Sequence, residues 1–199
     1  MPGIENSYAG LSVGAFLDAL AAGAAAPAGG SAAAMVLAQA AALCAKSARL
    51  SARQLTAGRA AELTAEAEQI RSAAASLIDE DPRAYQAVIE QRRRLRGESG
   101  AERSAAGRSA ELAAALSAAA DVPMRTVELA VPVASLAAVL VREGNPALRG
   151  DAMAAGLLTR AAARAAAALV SINLADSPAD PRHVRADSLL AAIDERDSS

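Results

Sequence analysis

The stretch Pro27-Ala28-Gly29-Gly30-Ser31 decides how the chain reads, because it joins a short amphipathic segment to a long, almost wholly apolar one. It holds the only adjacent glycines in the sequence. The Ser31 hydroxyl is suited to accept a hydrogen bond from a backbone N–H two or three residues on, so a helix is expected to start there. Glycines ahead of a helix N-terminus let a phosphate or carboxylate approach exposed N–H groups at the positive end of the helix dipole. The same five residues also read as a plain turn and cap, and the pentapeptide alone leaves both readings open.

Upstream of it, Ser12 reads as the cap of a short helix that places Phe16, Leu17 and Leu20 on one face. Downstream, the helix from Ser31 is predicted to run to about Leu55. It is apolar all round at first, then carries Lys46, Arg49 and Arg53 as a stripe facing solvent or a ligand. Gly58 is expected to interrupt before a third helix through Ile78, with Leu63, Ile70 and Leu77 at heptad spacing. Asp81-Pro82 has the form of an N-cap followed by proline at the first helical position. That predicts a stop at Asp79-Glu80-Asp81-Pro82 and a new helix to about Arg96. Its end, Arg92-Arg93-Arg94-Leu95-Arg96, puts cations where they complement the dipole.

Residues 97–107 read as a polar, glycine-bearing loop, and a helix over 109–120 follows. Asp121-Val122-Pro123 repeats the cap-plus-proline signal for another helix to about Glu143, which Pro132 is expected to kink. Gly144-Asn145-Pro146 takes the chain out of helix, with Gly144 suited to the position just past a helix end. Asp151 or a neighbour then starts the last long helix, to about Leu174, and one more is expected over 181–193.

Hydrophobic residues make up 53% of the chain and aromatics 2%, while 59 residues are alanine, so a core must come from helices packed closely through small faces. The expected fold is all-α: a single-domain, alanine-rich bundle of seven or eight helices over residues 12–195, with irregular termini at 1–11 and 196–199. Two runs, 32–45 and 161–170, are apolar enough for the centre of a bundle or a subunit interface. Both are shorter than the roughly 20 residues that span a bilayer, so no membrane partner is expected. The apolar helical faces exceed what one such chain buries alone, which predicts a homodimer through the second and last long helices.

A net charge of −2 with almost no aromatics argues against nucleic acid as a partner. The single cysteine, Cys44, lies in an apolar run and reads as a buried, inert thiol. His183 is the only histidine, which removes His-rich metal sites and His-based triads, so neither a metal nor a redox cofactor is expected. No basic segment precedes an apolar run near the N-terminus, and the cytoplasm is the expected location.

Chemistry then falls to carboxylates, amides, hydroxyls and water. Asp81 and Asp151 are the informative carboxylates, because helix starts aim side chains and N–H groups into clefts. Each also reads as an N-cap worth about 1 kcal/mol. Asn145 sits in a Gly-Asn-Pro turn, where asparagine is ordinary turn chemistry. Asn173, near the end of an apolar helix, is less expected, since a buried amide needs partners.

Several separated segments together resemble the cyclodeaminase/cyclohydrolase family, over about residues 12–195. They are Phe16 to Leu20, Pro27 to Ala34, Arg49-Leu50-Ser51, Asp79-Glu80-Asp81 with Tyr85, Val122-Pro123, Gly144-Asn145-Pro146 with Asp151, and Ile172-Asn173-Leu174. Each motif is weak, and their ordered combination is what makes the match specific. The resemblance implies an all-α homodimer with a tetrahydrofolate site near its interface. It implies one of two reactions, neither needing a metal or redox cofactor: cyclisation of 5-formiminotetrahydrofolate with release of ammonia, or hydrolysis of 5,10-methenyltetrahydrofolate. A helical dimer of the same fold that binds a ligand or partner without catalysis is the alternative.

Matched residue by residue, the resemblance makes Gly29, Gly30 and Ser31 a wall of the folate site, with Pro27, Arg49 and Asn173 also ligand-binding. It makes Asp81 and Asp151 candidates for proton transfer or for holding the pterin's amino groups, and Asn145 a candidate for orientation. The chain departs from the family pattern at four places. Ala28 replaces a glycine, Arg53-Gln54 stands where Gly-Lys is usual, Ala147 replaces an asparagine, and Gly150 replaces a serine.

Overall fold

The computed structural model describes residues 7–97 and 105–196, and among these it is all-α, with seven α-helices. They are α1 (Val13–Ala21), α2 (Gly29–Arg49), α3 (Ala57–Gly97), α4 (Ala105–Ala119), α5 (Asp121–Glu143), α6 (Arg149–Asn173) and α7 (Pro181–Glu195). Short 3-10 turns, Tyr8–Gly10 and Pro146–Leu148, precede α1 and α6. Residues 1–6 of the lead-in expected over 1–11, residues 98–104 of the loop expected over 97–107 and residues 197–199 of the tail expected over 196–199 lie outside the described residues.

The bundle is built around α2, which packs against α3, α5 and α6. Ala34, Leu37, Ala40, Ala41 and Cys44 of α2 are fully buried. The heptad residues Leu63, Ile70 and Leu77 of α3 all lie in the core, as their spacing predicts. Around them sit Val127, Val133 and Leu140 of α5 and Ala155, Ala163, Ala166 and Val170 of α6. Alanines at the crossings let helix axes approach to about 8 Å, which is how so few large side chains close a core. Cys44 is buried with its Sγ 3.9 Å from the Val133 carbonyl, and burial pushes its pKa up to about 12.

Several expected boundaries move, each for a local reason. The α2 helix ends at Arg49 and not near Leu55, because Ser51 turns the chain with its hydroxyl on the Ser47 carbonyl at 2.6 Å. Gly58 does not break the chain. It falls in the first turn of α3, capped by Thr56 through the Arg59 N–H at 3.2 Å.

The largest correction is at Asp79-Glu80-Asp81-Pro82, which lies inside one continuous 41-residue helix, α3. Proline in a helix interior removes a donor and leaves the carbonyl four residues back without its partner. Here that carbonyl belongs to Ile78, and the buried hydroxyl of Ser31 donates to it at 2.8 Å. Asp81 is therefore not an N-cap of its own helix. The cap-plus-proline pattern does start α7, where Asp180 accepts from the Arg182 N–H at 3.0 Å.

Neither Asp121 nor Asp151 is a cap residue, since α5 and α6 have Ala120 and Leu148 at that position. Both aspartates sit in the first turn of their helix. Pro132 lies inside α5, and the helix runs through it to Glu143. Gly144 ends α5 with φ −77°, an ordinary conformation, so its glycine is explained by space: a Cβ there would sit 2.4 Å from the Leu140 carbonyl oxygen.

The apolar runs 32–45 and 161–170 lie within α2 and α6. By length and composition alone, the stretches Gly29–Arg49, Ala110–Glu143 and Pro146–Asn173 match a bilayer span, and within the bundle 61%, 50% and 39% of their most apolar windows are buried. The open remainder includes one long face. The positions Gly29, Ala32, Val36, Gln39, Leu43 and Lys46 of α2, at alternating spacings of three and four, are half-buried or exposed. So are Asp151, Ala154, Leu158, Ala161, Ala165, Ala168 and Ile172 of α6. The two helices run antiparallel, with Lys46 on Asp151 at one end and Gly29 beside Ile172 and Asn173 at the other. The stripes therefore lie side by side over about 25 Å.

Candidate active site

At the N-terminal end of α2 lies a cavity of about 230 Å³, lined among others by Gly29, Gly30, Asp81, Tyr85, Ile172 and Asn173. Three helices meet there. The start of α2 supplies the glycines, the proline-interrupted middle of α3 supplies Asp81, Pro82, Tyr85 and Ile89, and the end of α6 supplies Leu169, Ile172 and Asn173. Pro123, in the first turn of α5, closes one side.

Asp81 lies across the start of α2. Its Oδ2 accepts from the Ser31 backbone N–H at 3.2 Å, so a carboxylate fifty residues away does the capping expected of the Ser31 side chain. The approach is possible only over a glycine: a Cβ on Gly30 would lie 1.9 Å from Asp81 Oδ1. Gly29 is different, since a Cβ there would meet only the Leu169 methyls at 3.7 and 3.8 Å, ordinary contacts. Burial pushes the Asp81 carboxyl above the usual carboxylate range, with hydrogen bonding from Ser31 pulling the other way. One turn further along α3, the Tyr85 hydroxyl accepts from Arg92 Nη1 at 2.9 Å, with the guanidinium 5.9 Å from the ring centroid. Tyr85 thus keeps its own proton to donate.

Of the residues singled out from sequence, Asp81, Gly29, Gly30 and Asn173 are brought together at this cavity. Ser31 supports it from behind: it is fully buried, its N–H is taken by Asp81 and its hydroxyl by Ile78, so it offers a ligand no donor. Pro27 is buried and sits behind the lining, following a cis Ala26-Pro27 peptide. Ala28 lines the cavity with φ −137°, so its methyl faces no left-handed strain and no glycine is required for conformation.

The other candidates lie at the far end of α2. Lys46 Nζ is 2.6 Å from Asp151 Oδ2, and Arg49 pairs with Glu68, which Arg49 and Arg71 together hold below the ordinary carboxylate range. Asn145 is committed on three sides. Its N–H donates to Ser51 Oγ at 2.8 Å, its Nδ2 to the Leu50 carbonyl at 3.2 Å, and its Oδ1 accepts from the Ala147 N–H at 3.0 Å. The backbone of Ala147 thus completes an Asx turn without its missing amide. A Cβ on Gly150 would meet nothing within 4 Å, so nothing there excludes the serine the family prefers.

Sequence reasoning missed the structural partnership of Ser31, Pro82 and Asp81, and the place of Lys46 on Asp151. The signal for the first was Pro82 itself, whose missing N–H demands a donor from elsewhere for the Ile78 carbonyl. Among the described residues there is no group of three or more His, Cys, Asp or Glu side chains placed to hold a metal ion.

Comparison with known proteins fits this architecture. The structure is similar to formiminotetrahydrofolate cyclodeaminase from Thermotoga maritima, with a TM-score of 0.74 and 23% identity over 94% of this chain and 89% of that one. At that identity the likeness speaks to the fold alone. No curated protein matches the chain. The family model described as formiminotransferase-cyclodeaminase matches residues 12–186, a span that includes Asp81, Gly30, Tyr85 and Asn173 at the cavity and Lys46 and Asp151 at the far end. On that match over most of its length, the chain belongs to the formiminotransferase-cyclodeaminase family.

Proposed function

We propose that the protein is a folate-dependent one-carbon enzyme that closes 5-formiminotetrahydrofolate to 5,10-methenyltetrahydrofolate with loss of ammonia. The observation that carries this is the Asp81 carboxyl, raised by burial and facing the cavity with Gly30 beneath it and Asn173 nearby. In the reaction N10 attacks the protonated formimino carbon, and the proton released from N10 must reach the departing nitrogen. One carboxyl that accepts the first proton and delivers it to the second nitrogen balances the step, leaving the methenyl cation and neutral ammonia. A carboxyl whose pKa is raised towards the working pH is suited to both halves of that transfer. Asn173 offers an amide donor and acceptor of the kind that pairs with a pterin edge.

We further propose that the working unit is a homodimer joined through the open face of α2 and α6. The motif segments divide between the two ends of this face, Gly29 to Ser31 with Asp81 and Asn173 at one and Lys46, Asn145 and Asp151 at the other. A second copy laid antiparallel on that face would bring its Lys46–Asp151 end to the cavity of the first. This arrangement covers the alanine stripes and reunites residues that are about 25 Å apart along α2 within one chain.

Spectrophotometry tests the activity. Methenyltetrahydrofolate absorbance is expected to grow from the formimino compound faster with protein than without. Decay of added methenyltetrahydrofolate as the faster reaction would move the assignment to cyclohydrolase. Acceleration of neither, with no heat of tetrahydrofolate binding by calorimetry, would leave a helical dimer without this activity.

A further inference from the structure

A second concavity of about 330 Å³ lies away from the Asp81 cavity, in the groove between α5 and α6 closed at one end by Ile193 of α7 and by Arg196 just past its end. Its floor is alanine and glycine, including Ala137, Ala138 and Gly156, and Met153 and Leu157 stand at its rim 52% and 59% exposed. Four arginines, Arg142, Arg149, Arg160 and Arg196, line it, and no carboxylate does. That imbalance is local, because the whole chain carries a net charge of −2.

Two of these arginines, Arg142 and Arg149, have little to neutralise them. Arg142 reaches only the adjacent Glu143, at 3.7 Å, and Arg149 has no hydrogen-bond or ion-pair partner among the described residues. Arg149 is also the first residue of α6, where the positive end of the helix dipole disfavours a cation. Arg196 is held over the groove by donating Nε to Ser135 Oγ at 2.7 Å. An unpaired Arg149 and a weakly paired Arg142 beside an apolar floor of this size match a small ligand with one acidic group.

We propose that this groove binds a small amphipathic anion. Its carboxylate, sulfonate or phosphate lies at Arg142 and Arg149, and its aromatic or short acyl body lies on the alanine floor between Met153 and Leu157. The site is separate from the Asp81 cavity and independent of the reaction assigned to it.

The test uses the whole protein and two fluorescent probes of similar shape, anionic 8-anilinonaphthalene-1-sulfonate and neutral N-phenyl-1-naphthylamine. The anion is expected to bind at least about tenfold tighter than the neutral probe, the worth of one charge-assisted contact. Arg149→Glu and Ala138→Phe, the second filling the groove, are each expected to remove this binding while the melting temperature and folate turnover stay unchanged. Asp81→Asn is expected to leave it intact. Equal affinity for the two probes, anion binding unaltered in both groove variants, or no binding because a second copy covers the groove would each overturn the proposal.

Discussion

Asp81 and Gly30 operate as a pair, because the carboxylate occupies the space where any side chain at position 30 would begin. Gly30→Ala is expected to push Asp81 off the start of α2, removing turnover and costing about 1–3 kcal/mol in denaturant unfolding. Asp81→Asn separates chemistry from structure, since an amide oxygen still accepts from the Ser31 N–H. Turnover is expected to vanish. Burial raises the Asp81 pKa in the folded chain, so its contribution to stability is whole below the unfolded value of about 3.9 and is lost as pH rises through the raised one. The asparagine variant is therefore expected to melt no lower than wild type at pH 8, and its advantage to shrink as pH falls towards 4. A variant that melts several degrees lower at pH 8 would make Asp81 a structural cap. The importance of the glycine stretch was legible in the sequence. Its reason was not, because adjacent glycines signal freedom of φ or room for a ligand, and neither signal names a carboxylate fifty residues away as what fills the room.

At the scale of elements, periodicity was the reliable guide and single-residue punctuation was not. Leu63, Ile70 and Leu77 repeat every seven residues, and all three face the core. Asp81-Pro82 and Asp180-Pro181 look alike locally, yet only the second begins a helix. The difference is tertiary: at 82 the Ser31 hydroxyl of α2 supplies the Ile78 carbonyl with the donor that proline lacks. Ser31→Ala is expected to cost about 1–3 kcal/mol by leaving that carbonyl orphaned in the core. In a Pro82→Ala background a backbone N–H returns, so the same change should cost less by about 1 kcal/mol. Equal costs in the two backgrounds, measured by urea unfolding, would contradict this account of how α3 crosses its proline. Proline's local rule predicted a break because the compensating residue lies in another helix, outside any window of sequence.

For the whole molecule, composition announced helices packed through alanine, and the bundle around α2 is that packing. Composition could not announce that the candidate residues fall into two groups at opposite ends of α2, because order along a chain does not reveal which helix ends are neighbours. Within one chain Asp81 faces a cavity of about 230 Å³ while Asp151 is paired with the distant Lys46. The pairing of these half-exposed groups is worth little to stability, on the order of 1 kcal/mol or less, so Asp151→Asn is expected to fold normally. If the site joins the Asp81 end of one copy to the Asp151 end of another, Asp81→Asn and Asp151→Asn dimers should each be inactive on 5-formiminotetrahydrofolate. Unfolded together and refolded as a mixture, they should recover about a quarter of the wild-type rate, since half the dimers are mixed and each mixed dimer holds one intact site. A mixture no more active than its parents, or a single variant that keeps the wild-type rate, would contradict the account.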